Sequence, residues 1–222
     1  MGADNLKLNV AIDGPAGAGK STIAKLIGKR YDLMYINTGA MYRAVTLSAL
    51  SCGISFNDVP GLIEIIKGLE MHFENDDLYL NGNNVQEEIT TPYISKNVSD
   101  YAAVSEVRKM MVSLQQQMGQ KYSVIMDGRD IGTVVLKDAP IKFFLTASAK
   151  ERAKRRHKEL IDKGINVLYE DVLNDIIRRD DIDSNRKADP LKMADDAILV
   201  DCSYLSIEEV VNLLSSYIDK VI

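Results

Sequence analysis

A glycine-rich segment near the start of the sequence, GPAGAGKST at residues 14–22, fits the pattern G-x-x-x-x-G-K-[ST]. An apolar β-type run precedes it and a helical pattern follows it, as in the phosphate-binding loops called P-loops. Glycines let the backbone wrap around a phosphate, so that N–H groups and the helix N-terminus face the anion. Lys20 would reach the β- and γ-phosphates of a nucleoside triphosphate, and Ser21 would give an oxygen ligand to Mg²⁺. The predicted triphosphate-binding residues are Gly14, Pro15, Ala16, Gly17, Ala18, Gly19, Lys20, Ser21 and Thr22.

A P-loop predicts that a nucleoside triphosphate binds, but not what is done with it. A switch GTPase needs an Asn-Lys-x-Asp segment to recognise guanine, and the sequence contains no such tetrapeptide. A transporter-type ATPase would carry a Ser-Gly-Gly signature, which is also absent from the sequence. Both classes of protein are therefore less favoured.

Two arginines that follow later strand-like runs indicate a second phosphate site. Arg43 lies about one turn into the helical pattern that follows NTG at residues 37–39. Arg129 lies within DGRD at residues 127–130, where charges end an apolar run. Because the carboxyl ends of parallel strands meet at one edge of a sheet, both segments would face the P-loop. Two guanidinium groups there suit the phosphate of an acceptor molecule, although ordinary surface ion pairs are the alternative for each arginine alone.

A basic helical segment, KERAKRR at residues 150–156, stands out in an acidic protein. After a break at Gly164, a second helical pattern ends in RRDDIDSNR at residues 178–186. A helical hairpin of this kind beside the cleft could close over the phosphates as a lid and exclude water. The alternative is a solvated helix face with local ion pairs such as Glu151–Arg155.

Short apolar strands that alternate with helical patterns predict an α/β, three-layer fold with a five-stranded parallel sheet. Residues 69–74 and 77–82 instead alternate apolar and polar positions around a polar turn, which predicts an antiparallel β-hairpin inserted at roughly residues 61–96. Capping-box spacings support helix starts at Ser148–Glu151 and Ser206–Glu209. The predicted strands are Leu6–Asp13, Met34–Thr38, Tyr122–Asp127, Ile141–Thr146 and Ala197–Asp201. The predicted helices are Lys20–Lys29, Ala40–Leu50, Val104–Gln120, Lys150–Asp162, Asp171–Asp180 and Ile207–Val221.

The composition argues against several other classes of protein. The 222 residues carry a net charge of −5, which does not suit a general nucleic-acid binder. No apolar run approaches the ~20 residues that span a bilayer, and the N-terminus shows no signal-peptide pattern. Cys52 and Cys202 lack metal-ligand spacing, and His72 and His157 are isolated. We therefore expect a cytoplasmic monomer without nucleic-acid or membrane partners.

Four segments resemble the bacterial cytidylate kinases in order and spacing: GPAGAGKST, NTGAMYR, DGRDIGTVV and RRDDIDSNRKADPL. The resemblance extends over essentially the whole chain. It implies a nucleoside monophosphate kinase fold, with a P-loop core at residues 1–60 and 97–222, a lid within about 150–185, and a monophosphate-binding insertion at 61–96. It also implies transfer of the γ-phosphoryl group of ATP to CMP or dCMP, with Mg²⁺, in pyrimidine nucleotide metabolism.

The resemblance implies roles for particular residues. Arg129 and Arg43 would hold the CMP phosphate, while Lys20 and the lid arginines Arg155 and Arg156 would contact the transferring phosphates. Asn37 replaces the aspartate that is usual in the family, so a charged role for that position is not supported. The implied CMP-binding residues are Thr38, Asp130, Arg108 and Arg186 around cytosine, Ser99, Arg179 and Asp183 at or beside the ribose, and Arg43 and Arg129 at the phosphate.

The hydrogen-bonding groups of cytosine fit this assignment. Asp130 can accept a hydrogen bond from the N4 amino group, and arginines can donate to N3 and O2. Uracil would present an acceptor to Asp130 and a donor to an arginine, which predicts a preference for CMP over UMP. Asp127 is expected at the strand-end site or near Mg²⁺. The alternatives are a kinase of the same fold with a sugar or other small acceptor, and a regulatory module that hydrolyses ATP slowly.

Overall fold

The computed structural model describes residues 7–222, in which eight strands form two sheets. The predicted five-stranded sheet is confirmed, and its strand order is β2-β6-β1-β7-β8 with every neighbouring pair parallel. The second sheet has the order β3-β4-β5 and is antiparallel. Leu6, where the first strand was predicted to begin, lies outside the described residues. The strands are β1 (Asn9–Asp13), β2 (Met34–Asn37), β3 (Met71–Glu74), β4 (Asp77–Leu80), β5 (Asn83–Asn84), β6 (Val124–Gly128), β7 (Ile141–Thr146) and β8 (Ile198–Asp201).

The six predicted helices are confirmed with shifted ends, and three further helices lie in the region predicted as the insertion or beside it. None of the three was predicted. In two of them Pro60 and Pro92 lie in the first turn, where proline is tolerated. Asp58 and Thr91 accept hydrogen bonds from the first-turn amides as N-caps. The helices are α1 (Lys20–Tyr31), α2 (Thr38–Ser51), α3 (Val59–Lys67), α4 (Gln86–Ile89), α5 (Pro92–Ala102), α6 (Ser105–Lys121), α7 (Ala149–Asp162), α8 (Tyr169–Asn185) and α9 (Ile207–Ile218), with a π-helical turn at Ile131–Val135.

One of the two predicted capping boxes is complete. Ser206 accepts a hydrogen bond from the backbone of Glu209, whose carboxylate accepts one from the Ser206 backbone N–H. At α7, Ser148 accepts from the backbone of Glu151. The predicted helix start at Ser148 is therefore confirmed, although the Glu151 carboxylate pairs with Lys154 at 2.7 Å instead of completing a reciprocal capping box.

The sheet separates two apolar layers, as expected of a three-layer α/β fold. One layer contains Ile23 of α1 and Leu214 of α9, packed with Val10 and Phe143 of the strands. The opposite layer contains Met41 of α2 and Val107 of α6, packed with the other face of the sheet. Burial on both faces explains why the strands have continuous apolar runs. Among residues 7–222, none of the helices has the length and apolar character that crossing a membrane requires.

The parallel register brings the predicted site segments to one edge of the sheet. Asp13 at the end of β1 is opposite Gly128, and Asn37 at the end of β2 is opposite Asp127. The P-loop, the start of α2 and the DGRD segment therefore begin side by side at the carboxyl ends of three adjacent strands, as predicted.

The small sheet covers the opening part of α2. Leu78 and Leu80 of β4 are buried against Ala40 and Ala44, and α4 contributes Ile89 to the same cluster. The hairpin was predicted correctly at residues 71–80, with pairing from Met71–Leu80 to Glu74–Asp77. The predicted limits of the insertion, residues 61 and 96, fall inside α3 and α5.

Candidate active site

A cavity of about 920 Å³ opens at the carboxyl edge of the parallel sheet, between α5 on one side and the helical hairpin α7–α8 on the other. The structure brings most of the residues predicted from the sequence into its wall. Lys20 and Ser21 line it at the P-loop end, together with Ala16 and Gly17. All nine residues predicted to bind CMP also line it: Thr38, Arg43, Ser99, Arg108, Arg129, Asp130, Arg179, Asp183 and Arg186.

The P-loop has the backbone that its glycines permit. Gly14 has φ +146°, and a Cβ there would lie 1.9 Å from the carbonyl oxygen of Leu145, so no other residue fits. Lys20, the first residue of α1, is 5% exposed, and its Nζ donates to the carbonyl of Pro15 at 2.8 Å. Burial, with a smaller repulsion from Arg129, lowers the pKa of Lys20 to about 7. A phosphate in the loop would restore the charge of this ammonium group.

Asp127 lies beside Ser21 at the end of β6. Its Oδ2 accepts from the hydroxyl of Ser21 at 2.9 Å, and its Oδ1 accepts from the hydroxyl of Tyr35 at 2.9 Å. The backbone carbonyl of Asp127 accepts from Thr38 Oγ1 at 2.6 Å, so the Thr38 side chain braces the strand end. A hydroxyl and a carboxylate at the cavity wall are the hard oxygen donors that Mg²⁺ prefers. Within residues 7–222 no group of three or more His, Cys, Asp or Glu side chains could hold a metal ion, but Mg²⁺ held largely by phosphates needs only one or two protein oxygens.

Two part-buried arginines carry buried donors that have no hydrogen-bond partner among the described residues. These are the Nε groups of Arg43 on α2 and Arg179 on α8. Burial, followed by repulsion from Arg179, lowers the pKa of Arg43 to about 10. Burial, followed by repulsion from Arg129, also lowers the pKa of Arg179. Cations that are part-buried, close to one another and incompletely bonded form a site that an anion would stabilise.

Arg129 lies between these arginines and a carboxylate. Its Nε donates to Asp183 of α8 at 2.7 Å. Burial alone would raise the pKa of Asp183, but Arg129, together with Arg186 and Arg179, more than offsets this effect, and the pKa is lowered. Gly128, beside Arg129, is packed against the protein: a Cβ there would lie 2.6 Å from Ile131 and 2.7 Å from Thr38.

One part of the cavity wall is a buried network around Asp130. Its Oδ2 accepts from Arg108 of α6, and Arg186 approaches Oδ1 to 3.6 Å. Arg108 is 1% exposed and lies 5.4 Å from the ring of Tyr42. The Tyr42 hydroxyl has no hydrogen-bond partner among the described residues, and burial raises its pKa. A carboxylate, two guanidinium groups and a free hydroxyl can recognise a small polar ring by hydrogen bonds.

The helical hairpin α7–α8 places only one of its two predicted catalytic arginines at the cavity. Arg156 lines the wall and pairs with Glu159 at 2.8 Å. Arg155 points away, and its guanidinium donates to the carbonyls of Cys202 and Ser203 at the end of β8. The hairpin contacts α5 through Arg178, which donates to the Lys96 carbonyl and lies 3.6 Å from Asp100.

Two positioning contacts were missed in the sequence. Arg152, 4% exposed on α7, donates to the P-loop carbonyl of Ala16 at 2.8 Å and pairs with Asp180 of α8. Asp13 accepts from the backbone N–H groups of Ile131 and Gly132 at 2.8 and 2.7 Å, and burial raises its pKa to about 6. The sequence shows the basic run that contains Arg152 and the charge of Asp13 at a strand end. It does not show which residues these side chains contact in the folded protein.

Asn37, the departure from the usual aspartate, is the N-cap of α2. Its Oδ1 accepts from the backbone N–H of Ala40 at 2.9 Å. An amide oxygen caps a helix about as well as a carboxylate does. The substitution therefore retains the local structure.

Known proteins resemble this chain along its length. A family model described as "Cytidylate kinase" matches residues 10–220. A protein named "Cytidylate kinase" from Clostridium acetobutylicum is 62% identical over 217 residues, covering 98% of this chain and 100% of that protein. A protein of the same name from Clostridium botulinum (strain Loch Maree) is 57% identical over 215 residues, covering 97% and 99%.

Solved structures resemble the fold at low sequence identity. An uncharacterized protein from Eubacterium ventriosum has a TM-score of 0.56 at 13% identity, covering 96% of this chain and 99% of that chain. A gluconokinase from Sinorhizobium meliloti has a TM-score of 0.51 at 13% identity, covering 97% and 94%. At such identities the likeness concerns the fold and not the acceptor.

Proposed function

The chain belongs to the cytidylate kinase family, and on that premise we propose that it transfers the γ-phosphoryl group of ATP to CMP or dCMP, giving CDP or dCDP. The main support for this proposal is the set of chemical groups that line the cavity. A single cavity is lined by the P-loop, by two arginines whose buried Nε groups have no partner among the described residues, and by a carboxylate that two further arginines approach. The three parts suit a triphosphate, a monophosphate and a cytosine, in that order.

On the donor side, we propose that the P-loop N–H groups of residues 14–22 and Lys20 bind the ATP phosphates. Lys20 would turn from the Pro15 carbonyl, 2.8 Å away, toward the β- and γ-phosphates. Ser21 and Asp127 would hold Mg²⁺, which supplies charge neutralisation at the phosphates when bound. Arg152 supports this arrangement by fixing the Ala16 carbonyl from behind the loop.

On the acceptor side, we propose that Arg43 and Arg129 bind the CMP phosphate, with Arg179 and Asp183 beside the ribose and Ser99 nearby. Phosphate oxygens would give Arg43 and Arg179 the acceptors that their Nε groups lack. Asp130 would accept from the N4 amino group of cytosine, while Arg108 and Arg186 donate to the ring and Thr38 packs nearby. An ionised carboxylate has enough lone pairs to accept from Arg108 and from the base together.

We propose that catalysis is positioning and charge neutralisation, without a general base. The second pKa of a phosphate monoester is about 6, so the acceptor oxygen is already largely ionised at neutral pH. Arg129, Lys20 and Arg156 would stabilise the migrating phosphoryl group. Arg155, also predicted for this role, would have to leave the carbonyls of Cys202 and Ser203 to take part. Closure of α7–α8 and of the insertion would exclude water as an alternative acceptor.

The domain limits, the cellular location and the oligomeric state are proposals as well. The core would comprise residues 1–60 and 97–222 with the lid within about 150–185, and residues 61–96 would form the monophosphate-binding insertion. A reducing, cytoplasmic location is supported by Cys52 and Cys202, which are both free. We further propose a monomer whose partners are nucleotides.

A panel of acceptors tests the function directly. With ATP and Mg²⁺, we expect CMP and dCMP to give rapid ADP formation in a coupled assay, and UMP to react far more slowly. AMP, gluconate and shikimate serve as controls for other kinases. Transfer to UMP or to a non-nucleotide, with none to CMP, would contradict the proposal.

ATP binding is expected to take up a proton at about pH 8. The pKa of Lys20, about 7 in this structure, should rise toward its ordinary value of about 10.4 beside a triphosphate. Uptake should therefore approach one proton above about pH 7 and vanish below about pH 6, where Lys20 is already charged.

Calorimetry with a non-hydrolysable ATP analogue, in buffers of different ionisation enthalpy, measures this proton uptake. Lys20→Arg stays charged throughout and should show no such uptake. Equal proton uptake by the wild type and by Lys20→Arg would contradict the assignment of the uptake to Lys20.

A further inference from the structure

Asp189, to which none of the roles above is given, contacts both arginines of the proposed base site. Its carboxylate Oδ2 accepts from Arg108 Nε at 3.0 Å. Its backbone carbonyl accepts from Arg186 twice, from Nε at 2.8 Å and from Nη2 at 2.5 Å. The bond to Arg108 engages only Nε, so that Nη2 of Arg108 donates to Asp130 Oδ2. Nη2 of Arg186, held by the Asp189 carbonyl, lies 3.6 Å from Asp130 Oδ1.

The loop that carries Asp189 is fixed to α8. The backbone N–H of Leu191 donates to the Asp183 carbonyl at 2.7 Å, and that of Arg186 donates to Ile182 at 3.0 Å. Asp189 itself has φ +47°, in the left-handed region that few side chains other than Asn and Asp adopt. Because of this backbone conformation, Asp189 can bond Arg186 through its carbonyl and Arg108 through its carboxylate at the same time.

We propose that Asp189 is a positioning residue for base recognition, which orients Arg108 and Arg186 around Asp130. The inference rests on the proposed function, because it concerns how the same site selects cytosine. Without the Asp189 carboxylate, Arg108 would be free to turn its fork onto both oxygens of Asp130 as a bidentate pair. The lone pair that accepts from the cytosine amino group would then be occupied. Arg108 would also no longer be held at the angle needed to donate to the ring.

Two variants distinguish the positioning role of Asp189 from an effect of this residue on the conformation of its loop. Asp189→Gly removes the carboxylate but tolerates φ +47°, and Asp189→Asn keeps both the conformation and a side-chain oxygen that can accept from Arg108. For Asp189→Gly we expect the KM for CMP to rise about five- to tenfold, with kcat and the KM for ATP within about twofold of wild type. The ratio of kcat/KM for CMP over UMP should fall by about fivefold. Asp189→Asn should remain within about twofold of wild type.

The matched control is the pair Asp195→Gly and Asp195→Asn, at an exposed position on the same connection between α8 and β8. Neither should change any of these constants. An unchanged Asp189→Gly, or one that loses stability without a change in the KM for CMP or in the CMP-to-UMP ratio, would overturn the inference and leave Asp189 a loop residue. An Asp189→Asn variant as impaired as Asp189→Gly would overturn it too. Absence of CMP phosphorylation by the wild-type protein would instead overturn the proposed function, and the inference with it.

Discussion

Replacing Arg43 by methionine is expected to lower kcat/KM for CMP by about 10²- to 10³-fold without destabilising the protein. Arg43 is part-buried, its buried Nε has no hydrogen-bond partner among the described residues, and neighbouring Arg179 repels it. Asp127 offsets these effects only in part, so the charge is unfavourable for folding and the acceptor phosphate would compensate for it. We expect the free energy of unfolding of Arg43→Met to stay the same or to rise by about 1–2 kcal/mol. Urea titration and coupled ADP formation measure the two quantities.

Arg129→Met is the matched variant for this experiment. It should lose a similar factor in kcat/KM for CMP, because the same phosphate loses a guanidinium group. Its stability should fall instead, by about 2 kcal/mol, since Asp183 loses the partner that lies 2.7 Å away. The affinity for an ATP analogue should change little in either variant. Stabilities that move in the same direction, or CMP turnover that survives in Arg43→Met, would contradict the assignment of these arginines to the acceptor phosphate.

Replacing Asp130 by asparagine is expected to reduce the preference for CMP over UMP by about 10²-fold or more. Arg108 contacts Oδ2 more closely than Arg186 contacts Oδ1, so the amide oxygen should stay with Arg108. The amide nitrogen would then replace Oδ1, where a donor is repelled by the cytosine amino group but can bond O4 of uracil. Acceptor titrations with CMP and UMP give the ratio.

The same substitution should lower the free energy of unfolding by about 2–4 kcal/mol, because two buried guanidinium groups lose a carboxylate. Asp196→Asn is a suitable control, since Asp196 also pairs with a cation, Lys142 at 2.8 Å, but is 66% exposed and outside the cavity. It should cost less than about 1 kcal/mol and leave the CMP-to-UMP ratio unchanged. If Asp130→Asn kept the wild-type ratio, another group would have to recognise the amino group of cytosine.

The fold and the general position of the site followed from local patterns in the sequence. Apolar runs separated by helical patterns predicted five parallel strands, and parallel strands necessarily bring their carboxyl ends together. The P-loop, Arg43 and DGRD at residues 127–130 were therefore expected at one edge, where the structure has them. Helices α3 and α5 were not predicted, and each begins with a proline in its first turn.

The sequence by itself determined the types of group at this site and the strand ends from which most of them project. Only the tertiary structure decided how the charges are paired. Arg155 and Arg156 are adjacent in the sequence, yet one donates to carbonyls just after β8 and the other lines the cavity, since neighbouring helical residues point about 100° apart. Arg43 lacks a partner for its Nε, while Arg129 has Asp183. Pairing depends on distances between elements far apart in the chain, which residue type and spacing do not encode.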